Sequence, residues 1–330
     1  MNQRFKFSAI LMAMFLIFLA IFQSVDLLRD VAHAQEYPSK EIKLIVPIAP
    51  GGGVDLVART FAEKVETLLR VPMVVVNNAA GAGVVGVMSV AQAKPDGYTL
   101  LNGFTGPMIM KPLLTPEVRY RPSDFTPVCQ TVGMPVALFV QNEAPWKTLQ
   151  ELVDHAKKNP GKLRTSVGTG GGFLQVLTDL FKVEAQVKIL DIPTTGGANQ
   201  SAALMGGHAE LCMDSISPGI NFVKAGKLRI LACTHKLPDF PAVKTFDEAG
   251  YPGVSLKLWH GVFGPKGLPN PILTKLTQAF EKACQDRSVQ EKLEKLSVLP
   301  EYRNPEETAK FVASDYETSS RVLKQTGMIK

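Results

Sequence analysis

Four times along this chain a short apolar run breaks into a glycine-rich turn and then resumes at helical spacing. The turns are Pro50-Gly51-Gly52-Gly53-Val54-Asp55, Asn78-Ala79-Ala80-Gly81-Ala82-Gly83, Gly168-Thr169-Gly170-Gly171-Gly172 and Thr194-Thr195-Gly196-Gly197. The runs before them (41–47, 71–76, 163–167 and 188–192) are short and rich in β-branched residues, as buried strands are. The runs after them (55–69, 84–93, 173–182 and 198–205) have helical periodicity. In the first of these, Leu56, Phe61, Val65 and Leu68 share one face, and Asp55 is a candidate cap. Strand, turn, helix, strand repeated in this way predicts an α/β fold of parallel sheets wrapped by helices.

At 330 residues the chain exceeds one small core and suits two lobes. Residues 35–135 carry the first set of elements, including a third strand at 98–101. The pattern restarts with a strand at 136–140 and a helix at 149–158. Further strands follow at 210–213 and 228–233, so 136–255 form a second unit. Residues 256–330 are mostly helical (271–287, 288–296, 305–326) and are expected to return to the first lobe. Two lobes crossed more than once by the chain make a hinged cleft.

The turns suggest what such a cleft holds. Glycines let backbone N–H groups approach a ligand, and a helix N-terminus adds positive potential, so an anion is the natural guest. One such turn alone could instead be a tight turn with no ligand. Four at the carboxyl ends of parallel strands lie where open α/β sheets bind ligands. The first turn lacks the lysine of a P-loop and does not fit G-x-G-x-x-G.

Composition narrows the remaining classes. Hydrophobic residues make up 45% and charged residues 20%, an ordinary globular balance. Arg4 and Lys6 precede an apolar run at 7–22, and Ala32-His33-Ala34 has the small-x-small pattern of a signal cleavage site. Sixteen apolar residues are short for a membrane span. Residues 1–34 are therefore expected to be a cleaved export signal with a periplasmic product, an uncleaved anchor being the alternative. The net charge of +6 becomes +5 without them. That suits an anionic ligand, or serves solubility alone. No basic stripe with interleaved aromatics points to nucleic acid.

Catalytic signals are weak. His155, His208, His235 and His260 lack metal-ligand spacing, so no metal or cofactor is expected. Asp214 follows a strand and is placed either to line a cleft or to cap the next segment, with no acid–base partner in view. Trp259 reads as core. Of the four cysteines (Cys129, Cys212, Cys233, Cys284), Cys212 and Cys233 lie in runs that could be neighbouring strands, the one pair to consider for a disulfide. Four buried thiols is the preferred reading.

The segment from Tyr37 to Leu101, with its YPSK, PGGGxD, NxxGAG and PDGYTLL motifs, closely resembles the start of the Bug (TctC-like) periplasmic binding proteins of tripartite tricarboxylate transporters. PGKLRTSVG, IPTTGGANQSAALMGGHAEL, MDSISPGINFVKAGKLRILA and FGPKGLP extend the likeness over essentially all of the mature chain. The resemblance implies a two-lobe flytrap without catalysis, monomeric, holding a small organic carboxylate by backbone N–H groups and bridging waters. Its expected first-lobe contacts are Pro50, Gly51, Gly52, Asn78, Gly81, Ala82 and Gly83, with Gly103 and Thr105 as additions. Its second-lobe contacts are Thr169, Gly170, Gly171, Gly172, Thr194, Thr195, Gly196, Gly197 and Asp214. It implies membrane permease subunits as partners, a sensor kinase being the alternative. An enzyme using Asp214 or Cys129 is a third reading, against which no nucleophile or acid–base pair stands out.

Three departures from the family pattern matter. Ala79-Ala80 stands where an Arg-Pro is usual. Gly172, Phe173 and Gln175 replace a Ser/Thr-rich loop ending in His. Thr194-Thr195 replaces Tyr-Lys. Formal positive charge is thereby removed, and Phe173 is expected to add apolar surface. A monocarboxylate or dicarboxylate with an apolar body fits better than a citrate-like ligand.

Overall fold

Three strands, β1 (Ile42–Val46), β2 (Met73–Asn77) and β3 (Thr99–Phe104), run parallel in the spatial order β3-β1-β2. The helices α1 (Gly53–Leu69) and α2 (Val84–Ala91) connect them. The computed structural model describes residues 37–330 except 169–171, 195–196, 255 and 297. The export signal expected at 1–34 thus lies outside the described residues. No helix among the described residues is long and apolar enough to cross a membrane.

The first sheet is mixed, not wholly parallel. β4 (Phe125–Met134), β10 (Leu258–Pro265) and β11 (Leu299–Arg303) complete it in the order β11-β4-β10-β3-β1-β2, and β10 is antiparallel to both β3 and β4. Sequence periodicity misses β4 because Gln130 and Thr131 interrupt its apolar pattern. Both are buried and hydrogen-bonded. The Gln130 amide donates to Thr308 Oγ1 at 2.8 Å, and Thr131 Oγ1 donates to the His260 carbonyl at 3.2 Å.

The second sheet has the order β7-β6-β8-β5-β9, from β5 (Val136–Gln141), β6 (Arg164–Gly168), β7 (Leu190–Thr194), β8 (Leu211–Ser215) and β9 (Leu228–Cys233). β6 is parallel to β7 and β8, whereas β5 is antiparallel to β8 and β9. Around it lie α3 (Leu149–Lys158), α4 (Phe173–Ala185), α5 (Gly197–Met205) and α6 (Ile216–Lys224). α7 (Asn270–Gln285), α8 (Arg287–Lys295) and α9 (Pro305–Gln325) follow β10. α7 and α9 pack against the first sheet, and α8 packs against α1.

Two crossings join the sheets. Pro135 alone separates β4 from β5. After β9, Thr234 pairs with Val136, its N–H on the Val136 carbonyl at 2.8 Å and its Oγ1 accepting the Val136 N–H at 3.0 Å. That pair still belongs to the second lobe, where Phe246 packs on Phe181 of α4. The chain returns only before β10, whose Leu258 is in register with Met134, so the return runs beside Pro135. The Ser217 hydroxyl on α6 also donates to the Leu296 carbonyl after α8.

Two local expectations are corrected and one is met. The buried stripe of α1 is Val54, Val57, Ala58, Phe61 and Val65, while Leu56 and Leu68 are exposed. Cys212 and Cys233 do not sit on neighbouring strands, because β5 runs between β8 and β9. Two strand spacings are about 10 Å, beyond the roughly 7 Å Cα reach of a disulfide. All four cysteines are free and buried. Trp259 is core, as expected, with Nε1 donating to Asp315 Oδ2 at 2.7 Å.

Candidate functional site

The first turn leaves β1 after Val46 and enters α1 at Gly53. The ladder of α1 begins with Leu56 N–H on the Gly52 carbonyl at 3.0 Å. The amides of Gly52, Gly53 and Val54 therefore precede it and donate to no acceptor among the described residues. Gly51 has φ +88°, a conformation that excludes most side chains, whereas a Cβ on Gly52 would meet nothing within 4 Å. Pro50, Gly51 and Gly52 are all exposed. The arrangement is a helix N-terminus with open donors and no cap of its own.

Asp55 is not that cap. It lies one turn inside, 2% exposed, with Oδ2 accepting the Gly51 N–H at 2.9 Å and Arg59 Nε at 2.9 Å. Its Oδ1 accepts Asn77 Nδ2 at 2.8 Å. Burial by itself would raise the carboxyl's pKa. The hydrogen bonds from Arg59, Gly51 and Asn77 and the charge of Arg59 outweigh it and bring the pKa below the ordinary value. Arg59 escapes a sequence search for ligand contacts. Its signal is the i,i+4 spacing from an acid in the first helical turn.

The second turn leaves β2 after Asn77. Gly81, Ala82 and Gly83 all have positive φ (59°, 54° and 90°), and the Gly81 and Ala82 amides find no acceptor among the described residues. Asn78 Oδ1 accepts the Ala80 N–H at 3.3 Å. A Cβ on Gly83 would lie 2.5 Å from the Pro47 carbonyl oxygen, so the two turns touch here, and only glycine permits it.

Gly103 and Thr105, expected as additions, are buried structural residues. A Cβ on Gly103 would lie 2.8 Å from the Phe263 ring. Thr105 Oγ1 donates to the Lys257 carbonyl at 2.9 Å and accepts the Trp259 N–H at 3.1 Å, which occupies the hydroxyl in joining β3 to β10.

In the second lobe Gly168 ends β6, Gly172 caps α4, Thr194 ends β7 and Gly197 opens α5. Thr169, Gly170, Gly171, Thr195 and Gly196 lie outside the described residues. Thr194 Oγ1 donates to the Val167 carbonyl at 3.0 Å. Phe173 is 5% exposed and folds into the lobe, so it adds no open apolar surface. Gln200 bridges two strands, its Nε2 donating to the carbonyls of Ser166 and Met213, both at 3.2 Å.

Asp214, near the carboxyl end of β8, is 1% exposed. It accepts Ser201 Oγ at 3.5 Å and Ser215 Oγ at 3.3 Å, long bonds both. Burial pushes its pKa up to about 7, and the Ser215 N–H and the two hydroxyls offset only part of that. The histidines form no metal site, and no group of potential ligands gathers among the described residues. Burial holds the His260 imidazole neutral, with its pKa lowered to about 3.

The chain is similar in sequence and fold to known proteins. Residues 57–328 match the family model described as tripartite tricarboxylate transporter family receptor. BugT of Bordetella pertussis is 30% identical over 298 residues, covering 89% of this chain and 91% of that protein. The periplasmic binding protein BugD superposes with TM-score 0.79 at 29% identity, covering 89% of this chain and 100% of BugD. An R. palustris protein solved with adipate gives 0.80 at 28% identity, covering 88% and 99%. MatC from Rhodopseudomonas palustris, with bound malate, gives 0.77 at 29% identity, covering 87% and 100%. Two sheets flanked by helices, joined by paired crossings and carrying open helix N-termini, are thus the frame of a periplasmic binding protein, and this chain belongs to the tripartite tricarboxylate transporter receptor family.

Proposed function

We propose that this receptor captures a small organic monocarboxylate or dicarboxylate between its lobes and delivers it to a tripartite tricarboxylate-type permease. The observation that carries the reading is the row of open amides at Gly52, Gly53, Val54, Gly81 and Ala82, which meets a carboxylate without a formal counter-charge. Adipate and malate in two relatives of the same fold support the ligand class. Pro50, Gly51, Asn78 and Gly83 complete the first-lobe shell, and the second-lobe turns with Asp214 face the rest of the ligand. Each lobe supplies part of the shell, so the ligand favours the closed form by its difference in affinity for the two states. The product acts in the periplasm after loss of residues 1–34, and it does no chemistry on its cargo.

The test begins with mass spectrometry of ligand released from protein purified without refolding, followed by calorimetry with that compound and its methyl ester. A released carboxylate whose ester loses most of its binding is expected, with a smaller radius of gyration at saturation. An ester that binds as well as the acid overturns the carboxylate reading. A second reading, docking of the loaded receptor on a sensor kinase, shares this site and differs in the partner that co-purifies.

A further inference from the structure

The two first-lobe turns lie far apart in sequence, yet one buried side chain holds both. Asp55 accepts the Gly51 N–H from the first turn and Asn77 Nδ2 from the residue that opens the second. Asn77 Nδ2 also donates to the Ile48 carbonyl at 3.2 Å, back in the first turn. Arg59 closes the ring, with Nε on Asp55 at 2.9 Å and Nη2 on Asn77 Oδ1 at 2.9 Å. The backbones meet as well, through Asn78 N–H on the Val46 carbonyl at 2.9 Å and the Gly83–Pro47 approach. None of these bonds uses the open amides of Gly52, Gly53, Val54, Gly81 and Ala82.

We infer that Asp55, Arg59 and Asn77 are positioning residues that make the two turns one preorganised anion receptor, so that neither turn loosens without the other. The carboxylate of Asp55 therefore does not repel an incoming anion. It is buried and paired with Arg59, the charged group that faces it among the described residues. What it supplies is rigidity. Donors held in place need no reorganisation when the ligand arrives, and that is where preorganised sites gain affinity. Arg59 acts through the same ring. Its fork reaches two acceptors at once, a geometry lysine lacks. The inference deepens the proposed function, since it concerns how that site is held.

The test needs no ligand. Hydrogen exchange followed by mass spectrometry on the mature protein reads residues 47–53 and 77–85 separately, with β5 and β8 as the internal control. Arg59→Ala removes a side chain that is 48% exposed, so the fold survives. At least tenfold faster exchange is expected in both turns together, with the control strands unchanged. Arg59→Lys, which keeps the charge beside Asp55, should restore part of the protection. Asp55→Asn should exceed Arg59→Ala, because an amide offers one acceptor oxygen where the carboxylate offers two, so either Gly51 N–H or Asn77 Nδ2 loses its partner along with the charge facing Arg59.

Acid titration of the wild type provides an independent readout. Asp55 has a depressed folded pKa, so its contribution is complete above the ordinary carboxylate value and is lost as pH falls through the lowered one. Both turns should lose protection at one common midpoint. Faster exchange confined to residues 47–53, two separate midpoints, or no change in Arg59→Ala would each overturn the coupling. None of these results would touch carboxylate binding itself, which the calorimetry decides.

Discussion

The mouths of the two lobes are built on the same plan and held by different means. In the first, an ionic ring of Asp55, Arg59 and Asn77 lies under two turns in backbone contact. In the second, the described residues are held by neutral groups: the Thr194 hydroxyl, the Gln200 amide, and two serines on an Asp214 that has no cation beside it. A charged, close-packed anchor fixes geometry. A neutral one leaves room for change at less cost. Under the proposed function, the carboxylate of the ligand falls to the first lobe and its variable remainder to the second.

The largest effect that can break this comparison is on binding. Gly52→Asp places a carboxylate among the open amides, at a position where a side chain meets nothing within 4 Å. Affinity for the released ligand should fall by more than about a thousandfold, roughly 4 kcal/mol, while circular dichroism and melting stay near wild type. Unchanged affinity would remove the first turn from the site.

Next in size is Gly83→Ala, which forces a Cβ to 2.5 Å from the Pro47 oxygen at φ +90°. Denaturant unfolding should show a loss of about 3 kcal/mol. A loss under 1 kcal/mol would mean that the turns separate freely.

Asp214→Asn sharpens the other side. The folded pKa of about 7 lies above the unfolded value, so the carboxyl destabilises the fold increasingly as pH rises from about 4 to 7. In urea unfolding the variant should gain stability over wild type as pH rises from about 4 to 8, with no gain left at about pH 4. Equal stability at both pH values would show that a cation or water meets the carboxylate. Smallest of all is Gly172→Ala. Its φ is −69° and a Cβ meets nothing within 4 Å, so a change under about 0.5 kcal/mol is expected.

Much of this was legible before the fold. The strands at β1, β2, β6 and β8 and the helices at α1, α3 and α4 follow from local periodicity. The glycines at 51, 81 and 83 are required by positive φ, a property of one residue's own backbone. β4 and β10 were not legible as strands, because residues such as Gln130, Thr131 and His260 stand where an apolar pattern was sought. Phe173 misled for a related reason: exposure is a property of the neighbours, and those neighbours bury it.

By itself the sequence determined the repeating strand–turn–helix unit, the four glycine-rich turns and the family motif, since each is encoded within a few consecutive residues. The tertiary structure alone decided that Asp55 meets Asn77 across 22 positions, that β5 keeps Cys212 from Cys233, and that Asp214 is buried with no cation beside it among the described residues. Those outcomes depend on which strands become neighbours. Strand order is chosen by the burial of the whole sheet, and no short segment carries it.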